Sequence, residues 1–177
     1  GANRVIAMDL HSQQIQGFFD IPVDHLYARP VISPYLHQKL GSDVVVVSPD
    51  SGSVKMAQLY CDSLDAGLAV IAKRRISATA VATSHLVGDV KGRTCVITDD
   101  MSSTAGTLCS AADKLKDEGA GKVFAAISHC VLNDVGYAKL AANKSIEELV
   151  VTDSIPVNNT LNGKIKVLSV APLLGEA

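Results

Sequence analysis

No charge of one sign dominates this sequence. Its 177 residues carry 16 Lys+Arg against 18 Asp+Glu, a formal net charge of −2. Nothing global therefore draws the chain to nucleic acid or to an anionic membrane, and any anion site has to be local. Long apolar runs are also missing. Val44–Val47 and Ala66–Ala72 fall far short of the ~20 residues a spanning helix needs, and read as buried strands. The four cysteines, Cys61, Cys95, Cys109 and Cys130, form no CxxC pair. They sit in apolar segments and read as buried, reduced thiols rather than a metal or redox cluster. Gly1-Ala2-Asn3-Arg4 shows no signal-peptide pattern, and no internal repeat or low-complexity tract appears. The expectation is a cytoplasmic protein with neither a membrane nor a nucleic-acid partner. The sequence enters an apolar stretch, Val5-Ile6-Ala7-Met8, almost at once, which reads as a fragment of a longer chain.

What is present is a globular composition, 47% apolar and 19% charged. The length suits one domain and is sufficient to bury a core without disulfides. Short β-branched runs alternate with polar loops and amphipathic stretches. Strands are predicted at Asp43–Ser48, Leu68–Ala72, Thr94–Thr98, Lys122–His129, Leu149–Thr152 and Ile165–Val170. Helices are predicted at Val54–Leu64, Ala105–Glu118 (capped by Gly119) and Asp134–Ala142. Alternating strands and helices imply βαβ units, hence an α/β fold with a mostly parallel sheet and flanking helices. Two segments fall outside this rhythm. Asp9–Tyr27 leads to a boundary at Arg29-Pro30. Arg74–Leu86, rich in Ser, Thr and Ala, reads as a mobile loop or a hairpin between two strands.

Ligands of such sheets bind beyond the carboxyl ends of the strands, so the loops Pro49–Ser53, Lys73–Arg75 and Asp99–Thr107 are the places to search. In the last of these, a β-branched strand runs into Asp99-Asp100. The small hydroxylated loop Ser103-Thr104-Ala105-Gly106-Thr107 then opens a helix. Consecutive N–H groups at a helix N-terminus hold phosphate, the hydroxyls add donors, and glycine lets the backbone approach. The two carboxylates would repel phosphate but suit sugar hydroxyls or a Mg²⁺-bound water. An anion nest beside diol acceptors suits a ribose 5-phosphate. An ordinary helix start with acidic residues near the positive dipole end stands as the plainer alternative. The triplet Lys73-Arg74-Arg75 follows an apolar strand. It reads either as a solvated charge cluster or as cations aimed at a phosphoryl group.

These segments together resemble the ribose-phosphate pyrophosphokinase family, also called phosphoribosyl pyrophosphate synthetases, of type I phosphoribosyltransferase fold. Asp9-Leu10-His11-Ser12, followed by Gln14-Ile15-Gln16-Gly17-Phe18-Phe19-Asp20-Ile21-Pro22-Val23-Asp24, resembles the family's hallmark stretch. Val47-Ser48-Pro49-Asp50, Lys73-Arg74-Arg75, Val87-Gly88-Asp89-Val90 and Asp99–Thr107 resemble its later motifs, in order along essentially the whole chain. Two positions depart from the pattern: Ser103 stands where the family usually has Asp, and Ser53 where it often has Gly.

The resemblance implies transfer of pyrophosphate from Mg–ATP to the C1 hydroxyl of ribose 5-phosphate, giving phosphoribosyl pyrophosphate and AMP. It implies Lys73 and Arg75 as catalytic cations. Ribose 5-phosphate would be held by Asp99, Asp100, Ser103, Thr104, Ala105, Gly106 and Thr107. Asp50, Ser51, Gly52 and Ser53 would form a pyrophosphate loop, with His11 and Asp50 as Mg²⁺ contacts. It further implies ATP and ribose 5-phosphate as partners, a homo-oligomer, and two domains. Residues 1–28 would end an ATP-side domain, and residues 29–177 would form a phosphoribosyltransferase-like domain. A non-catalytic regulatory homologue, or a phosphoribosyltransferase that consumes phosphoribosyl pyrophosphate, are the alternatives.

Overall fold

Four consecutive valines begin the strand at the middle of the main sheet. In a strand, neighbouring side chains point to opposite faces, so a run apolar at every position needs cover on both. β3 (Val44–Ser48) meets that condition, with every residue buried. The computed structural model describes residues 1–74, 83–157 and 159–177. Its remaining strands are β1 (Val5–Met8), β2 (Val23–Leu26), β4 (Gly67–Arg74), β5 (Thr83–Val87), β6 (Thr94–Ser102), β7 (Val123–Cys130), β8 (Leu149–Thr152) and β9 (Ile165–Leu168). The helices are α1 (Arg29–Leu40), α2 (Val54–Leu64), α3 (Gly106–Asp117), α4 (Asp134–Ala142) and α5 (Ala171–Glu176).

β1 and β2 pair in parallel as a separate two-stranded sheet. The other strands form a seven-stranded sheet in the order β5-β4-β3-β6-β7-β8-β9, parallel throughout except for β5 at one edge. Val45, Val47, Cys95 and Ile97 pack on one face beneath Leu108, Ala112 and Leu115 of α3 and Leu140 of α4. Val44, Val46 and Val96 pack on the other, against Ile32 and Leu36 of α1 and Ala57, Tyr60 and Leu64 of α2. The expected α/β class, with a mostly parallel sheet and flanking helices, is the observed one.

Several details differ from expectation. α1 differs from the predicted elements: it begins at the boundary Arg29-Pro30, with Pro30 in its first turn, and Pro34 removes an internal helix donor. β6 runs on to Ser102 because β7 continues beside it and pairs with it through Met101 and Ser102, so Asp99 and Asp100 lie on a strand and not in a loop. The two ends of the segment Arg74–Leu86 belong to an antiparallel pair, Val70–Arg74 against Thr83–Val87. Residues 75–82 lie outside the described residues.

The strand order reverses between β3 and β6. The chain leaves β3 toward β4 on one side and leaves β6 toward β7 on the other. Their carboxyl ends therefore open a crevice between diverging loops, the place where open parallel sheets bind ligands. One of these loops is braced from α4. A Cβ added to Gly136 would lie 2.6 Å from the Ser103 carbonyl oxygen and 3.2 Å from Thr104 Cα. The Asn133 N–H also donates to the Ser103 carbonyl at 2.9 Å. Gly136→Ala is therefore expected to cost about 1–3 kcal/mol in chemical unfolding, from overpacking against backbone. Gly17→Ala, where an added Cβ meets nothing within 4 Å, should leave stability within about 1 kcal/mol of the parent.

Candidate functional site

A cavity of about 670 Å³ occupies that crevice. The turn after β1 contributes Asp9, Leu10 and His11, the loop after β3 contributes Asp50, Gly52 and Ser53, and β6 contributes Asp99 and Asp100. Six of the residues singled out in the sequence, His11, Asp50, Gly52, Ser53, Asp99 and Asp100, thus come together from three distant segments. The loop Ser103–Thr107 sits beyond the end of β6 and does not line this cavity. Ser51 is exposed outside it. Lys73 belongs to β4, in register with Ser84. Arg75 lies outside the described residues.

Two hydrogen bonds tie the segments together. Ser53 Oγ donates to Asp99 Oδ1 at 3.0 Å, joining the β3 loop to β6. His11 Nδ1 donates to Asp100 Oδ2 at 2.5 Å, joining the β1 turn to β6. Each link shifts a protonation equilibrium. Burial pushes the Asp99 carboxyl up to about 6, opposed by the hydrogen bond from Ser53. The hydrogen bond and charge of Asp100 hold the His11 imidazole above its ordinary value. With Asp9, the cavity gathers four carboxyl groups against Arg29, Lys55 and the imidazole of His11. Such a lining favours hydroxyl groups or a cation over a bare phosphate.

The two loops past the strand ends suit anions better. The Asp50 carboxylate folds back so that Oδ1 accepts from the N–H groups of Gly52 at 2.8 Å and Ser53 at 3.1 Å. The backbone there already holds a negative oxygen, and it is the protein's own. At α3, the residue before the helix, Ala105, is buried, adopts a left-handed φ of 54° and supplies no side-chain cap. The first-turn N–H groups of α3 therefore have no capping side chain to satisfy them, the arrangement that receives an anion. This weakens the plainer reading of an ordinary capped helix start.

Sequence reasoning missed part of the wall. Tyr27, Arg29, Lys55, Met56, Leu59, Tyr60 and Ser128 also line the cavity. Ser128 carried a signal, since it is a polar residue near the carboxyl end of an otherwise apolar strand. Lys55 and Leu59 sit one turn apart on α2, as do Met56 and Tyr60. Asp9 is buried and accepts from the Ala28 N–H at 2.8 Å and from the Ser128 hydroxyl, a structural role. Asp24 lies 3.2 Å from Arg4 Nη1.

The fold agrees with that of solved proteins this chain resembles. The family described as phosphoribosyl synthetase-associated domain matches residues 79–177, more than half of the sequence. The chain belongs to that family. Ribose-phosphate pyrophosphokinase of Bordetella pertussis is 50% identical over 178 residues, covering 99% of this chain and 57% of its own length. Its namesake from Caldanaerobacter subterraneus is 48% identical over 179 residues, covering 100% and 56%. This phosphoribosyl synthetase-family chain thus spans little more than half the length of the curated relatives it matches. The crystal structure of phosphoribosylpyrophosphate synthetase from Mycobacterium smegmatis superposes with a TM-score of 0.89 at 42% identity, over 99% of this chain and 57% of that one. An APRTase from Giardia lamblia, at TM-score 0.56 and 14% identity over 70% of this chain and 75% of its own, shares the fold.

The raised Asp99 pKa has a consequence for stability. A carboxyl of ordinary value 3.8 in the unfolded chain and about 6 in the folded one binds more protons when folded. Between these values stability falls as pH rises. Asp99→Asn is therefore expected to melt about 2–5 °C above the parent at pH 7.5, and at the same temperature as the parent below pH 3.8. Calorimetric melts across that range check the sign. A variant less stable than the parent at pH 7.5 would show that the carboxylate is stabilising.

Proposed function

We propose that this chain provides the sugar-phosphate and pyrophosphate sites of a ribose-phosphate pyrophosphokinase. In the reaction, ribose 5-phosphate attacks through its C1 hydroxyl at the β-phosphorus of ATP. The bond to the α-phosphate oxygen breaks, and AMP leaves with phosphoribosyl pyrophosphate as the other product. One observation carries this reading. The uncapped N-terminus of α3 follows directly from the strand that bears Asp99 and Asp100, so an anion nest and two hydroxyl acceptors share one edge of the sheet. Relatives named ribose-phosphate pyrophosphokinase, similar over the whole of this chain, support it.

In this reading Ser103, Thr104 and Thr107 donate hydroxyl hydrogens to the 5-phosphate, joined by the N–H groups from Ala105 onward. Asp99 and Asp100 accept from the ribose hydroxyls. The N–H groups of Gly52 and Ser53, with Ser51 beside them, turn from the Asp50 carboxylate to the incoming pyrophosphoryl group. Lys73 and Arg75 supply positive charge where the transferring phosphoryl oxygens spread theirs. The proposed division places residues 1–28 with an ATP-side domain and 29–177 with the phosphoribosyltransferase-like domain.

The four cavity carboxyls need a cation if polyphosphate is to approach them, and the donor set meets that need. Among the described residues, no three His, Cys, Asp or Glu groups gather tightly enough to cage a metal. A Mg²⁺ that keeps waters and arrives on phosphate oxygens asks for only one or two protein ligands. His11 and Asp50 are the residues that would hold it. When bound, it would neutralise phosphate charge. The same reading brings ATP and ribose 5-phosphate as partners, a homo-oligomeric assembly and a cytoplasmic setting.

Calorimetry with ribose 5-phosphate tests the sugar-phosphate half on the chain itself. Saturable binding is expected, weakened about tenfold or more by Thr107→Val, the cost of one hydrogen bond to a charged group. A folded sample without binding would overturn that half. In the full-length protein, Lys73→Ala should slow ATP-dependent AMP formation on the order of a hundredfold. An unchanged rate would remove Lys73 from the catalytic machinery.

A further inference from the structure

His129 lies next to Ser128 on β7 but is not among the residues lining the cavity. Its Nε2 lies 3.0 Å from the Met8 carbonyl oxygen and 3.2 Å from that of Asp9. Carbonyl oxygens only accept, so Nε2 carries the hydrogen and shares it between the two. Its Nδ1 meets Ser154 Oγ at 2.9 Å, and Ser154 is fixed in turn by Thr152 Oγ1 at 2.9 Å. The ring is thus clamped at the ends of β7 and β8 and reaches across to the turn that ends β1.

That turn is unusual. Asp9 has a φ of 39°, a left-handed conformation that side chains with a Cβ rarely adopt. Its backbone polar groups are nonetheless occupied. The Asp9 N–H donates to the Leu26 carbonyl at 2.9 Å, and the Leu10 N–H to His25 Nε2 at 2.9 Å. The buried Asp9 carboxylate accepts from the Ala28 N–H and the Ser128 hydroxyl. The Met8 and Asp9 carbonyls are left to His129. Two residues after Asp9 stands His11, with Nδ1 2.5 Å from Asp100. The His11 side chain is otherwise largely in solvent, at 76% exposure, so its place is set by the backbone beneath it.

We propose that His129 is a positioning residue for His11. It acts through the Met8 and Asp9 carbonyls, holding the left-handed turn from the β7 side so that the His11 ring meets Asp100 at the cavity wall. The contribution to nucleotide binding rests on the role given above to His11, while the contribution to the turn does not. The property required is a hydrogen-bond donor at the Nε2 position, and not an aromatic ring or a charge.

His129→Phe keeps the ring and removes the donor. His129→Gln keeps an amide donor near the same point. Amide hydrogen exchange and NMR contacts between the His11 ring and Asp100 read the turn directly. Calorimetric titrations of the full-length protein with Mg–ATP and with ribose 5-phosphate read the two ligands separately. The Phe variant should exchange its Asp9 and Leu10 amides about tenfold faster and lose the His11–Asp100 contact, with Val46 and Ile97 exchange unchanged. Its Mg–ATP affinity should fall by about the same factor while ribose 5-phosphate affinity stays constant, and Gln should restore both properties. Unchanged exchange and contact in the Phe variant would overturn the proposal. So would loss of protection throughout the core with both ligands weakened together, which would make His129 an ordinary packing residue. If the parent protein binds no Mg–ATP at all, the reading of His11 fails, and the exchange and contact data still decide whether His129 holds the turn.

Discussion

Parallel pairing of β3 with β6 decides where chemistry can take place in this molecule. Parallel strands finish at the same edge of a sheet, so whatever follows them emerges on one side. The order reversal between this pair then drives the following loops apart and leaves a crevice between them. Antiparallel strands would have sent the Asp50 loop and the Asp99-Asp100 pair to opposite ends of the molecule. The four valines of β3 make that pairing possible, because a strand apolar on both faces can sit only in the middle of a sheet covered on both sides. The hydrogen bond from Ser53 to Asp99 is a local outcome of this arrangement.

The site is costly to the fold. Four carboxyl groups line one cavity, and burial, joined by the charges of Asp100 and Asp50, holds Asp99 toward its protonated form. A core built for stability would not bring them together. Each is restrained by a separate donor: Asp9 by Ala28 and Ser128, Asp50 by its own loop amides, Asp99 by Ser53 and Asp100 by His11. Because these donors come from different segments, the carboxyl groups also act as fasteners between the β1 turn, the β3 loop and the two strands β6 and β7. Ligand binding and tertiary structure therefore draw on the same hydrogen bonds, and a ligand that takes one of them must replace it.

Much of this was legible in the sequence, and the exceptions have physical causes. The β-branched runs at Val44–Val47 and Thr94–Thr98, and the 3.6-residue spacing of Leu108, Ala111, Ala112 and Leu115, are local patterns that survive without knowledge of tertiary contacts. α1 was hidden because Pro34 argues against a helix locally, and the packing of Ile32 and Leu36 against the sheet outweighs it, while Pro30 sits in the first turn, where proline is tolerated. The extension of β6 through Asp99 to Ser102 depends on β7, a partner that no local window contains. The candidate site followed the same division. Motif residues before and after strands could be listed, but which of them face one another could not. Ser103–Thr107, read as the heart of the site, stands apart from the cavity that joins His11, Asp50 and Asp99. His129 reaches the turn before His11 only through the fold, with Nε2 against the Met8 and Asp9 carbonyls.

The Asp50 loop shows why such a site can be ordered before any ligand arrives. Consecutive N–H groups turned toward one point repel each other and are expensive to leave unpaired, so an empty anion nest tends to collapse or fill with water. Here the Asp50 carboxylate fills it from within, accepting from Gly52 and Ser53 as a phosphate oxygen would. On the proposed reading, the backbone conformation that would receive a pyrophosphoryl group is stabilised in its absence by an oxygen of the same charge. The exchange of one anionic oxygen for another is close to neutral in hydrogen bonds made and lost, so little of the ligand's binding energy is spent on shaping the loop. The exchange also releases the Asp50 carboxylate at the moment polyphosphate enters. A second negative charge beside the first would oppose binding unless a cation came with it. On the proposed reading, a preference for a metal-complexed polyphosphate over a bare one would follow from a single side chain that must give up its own donors.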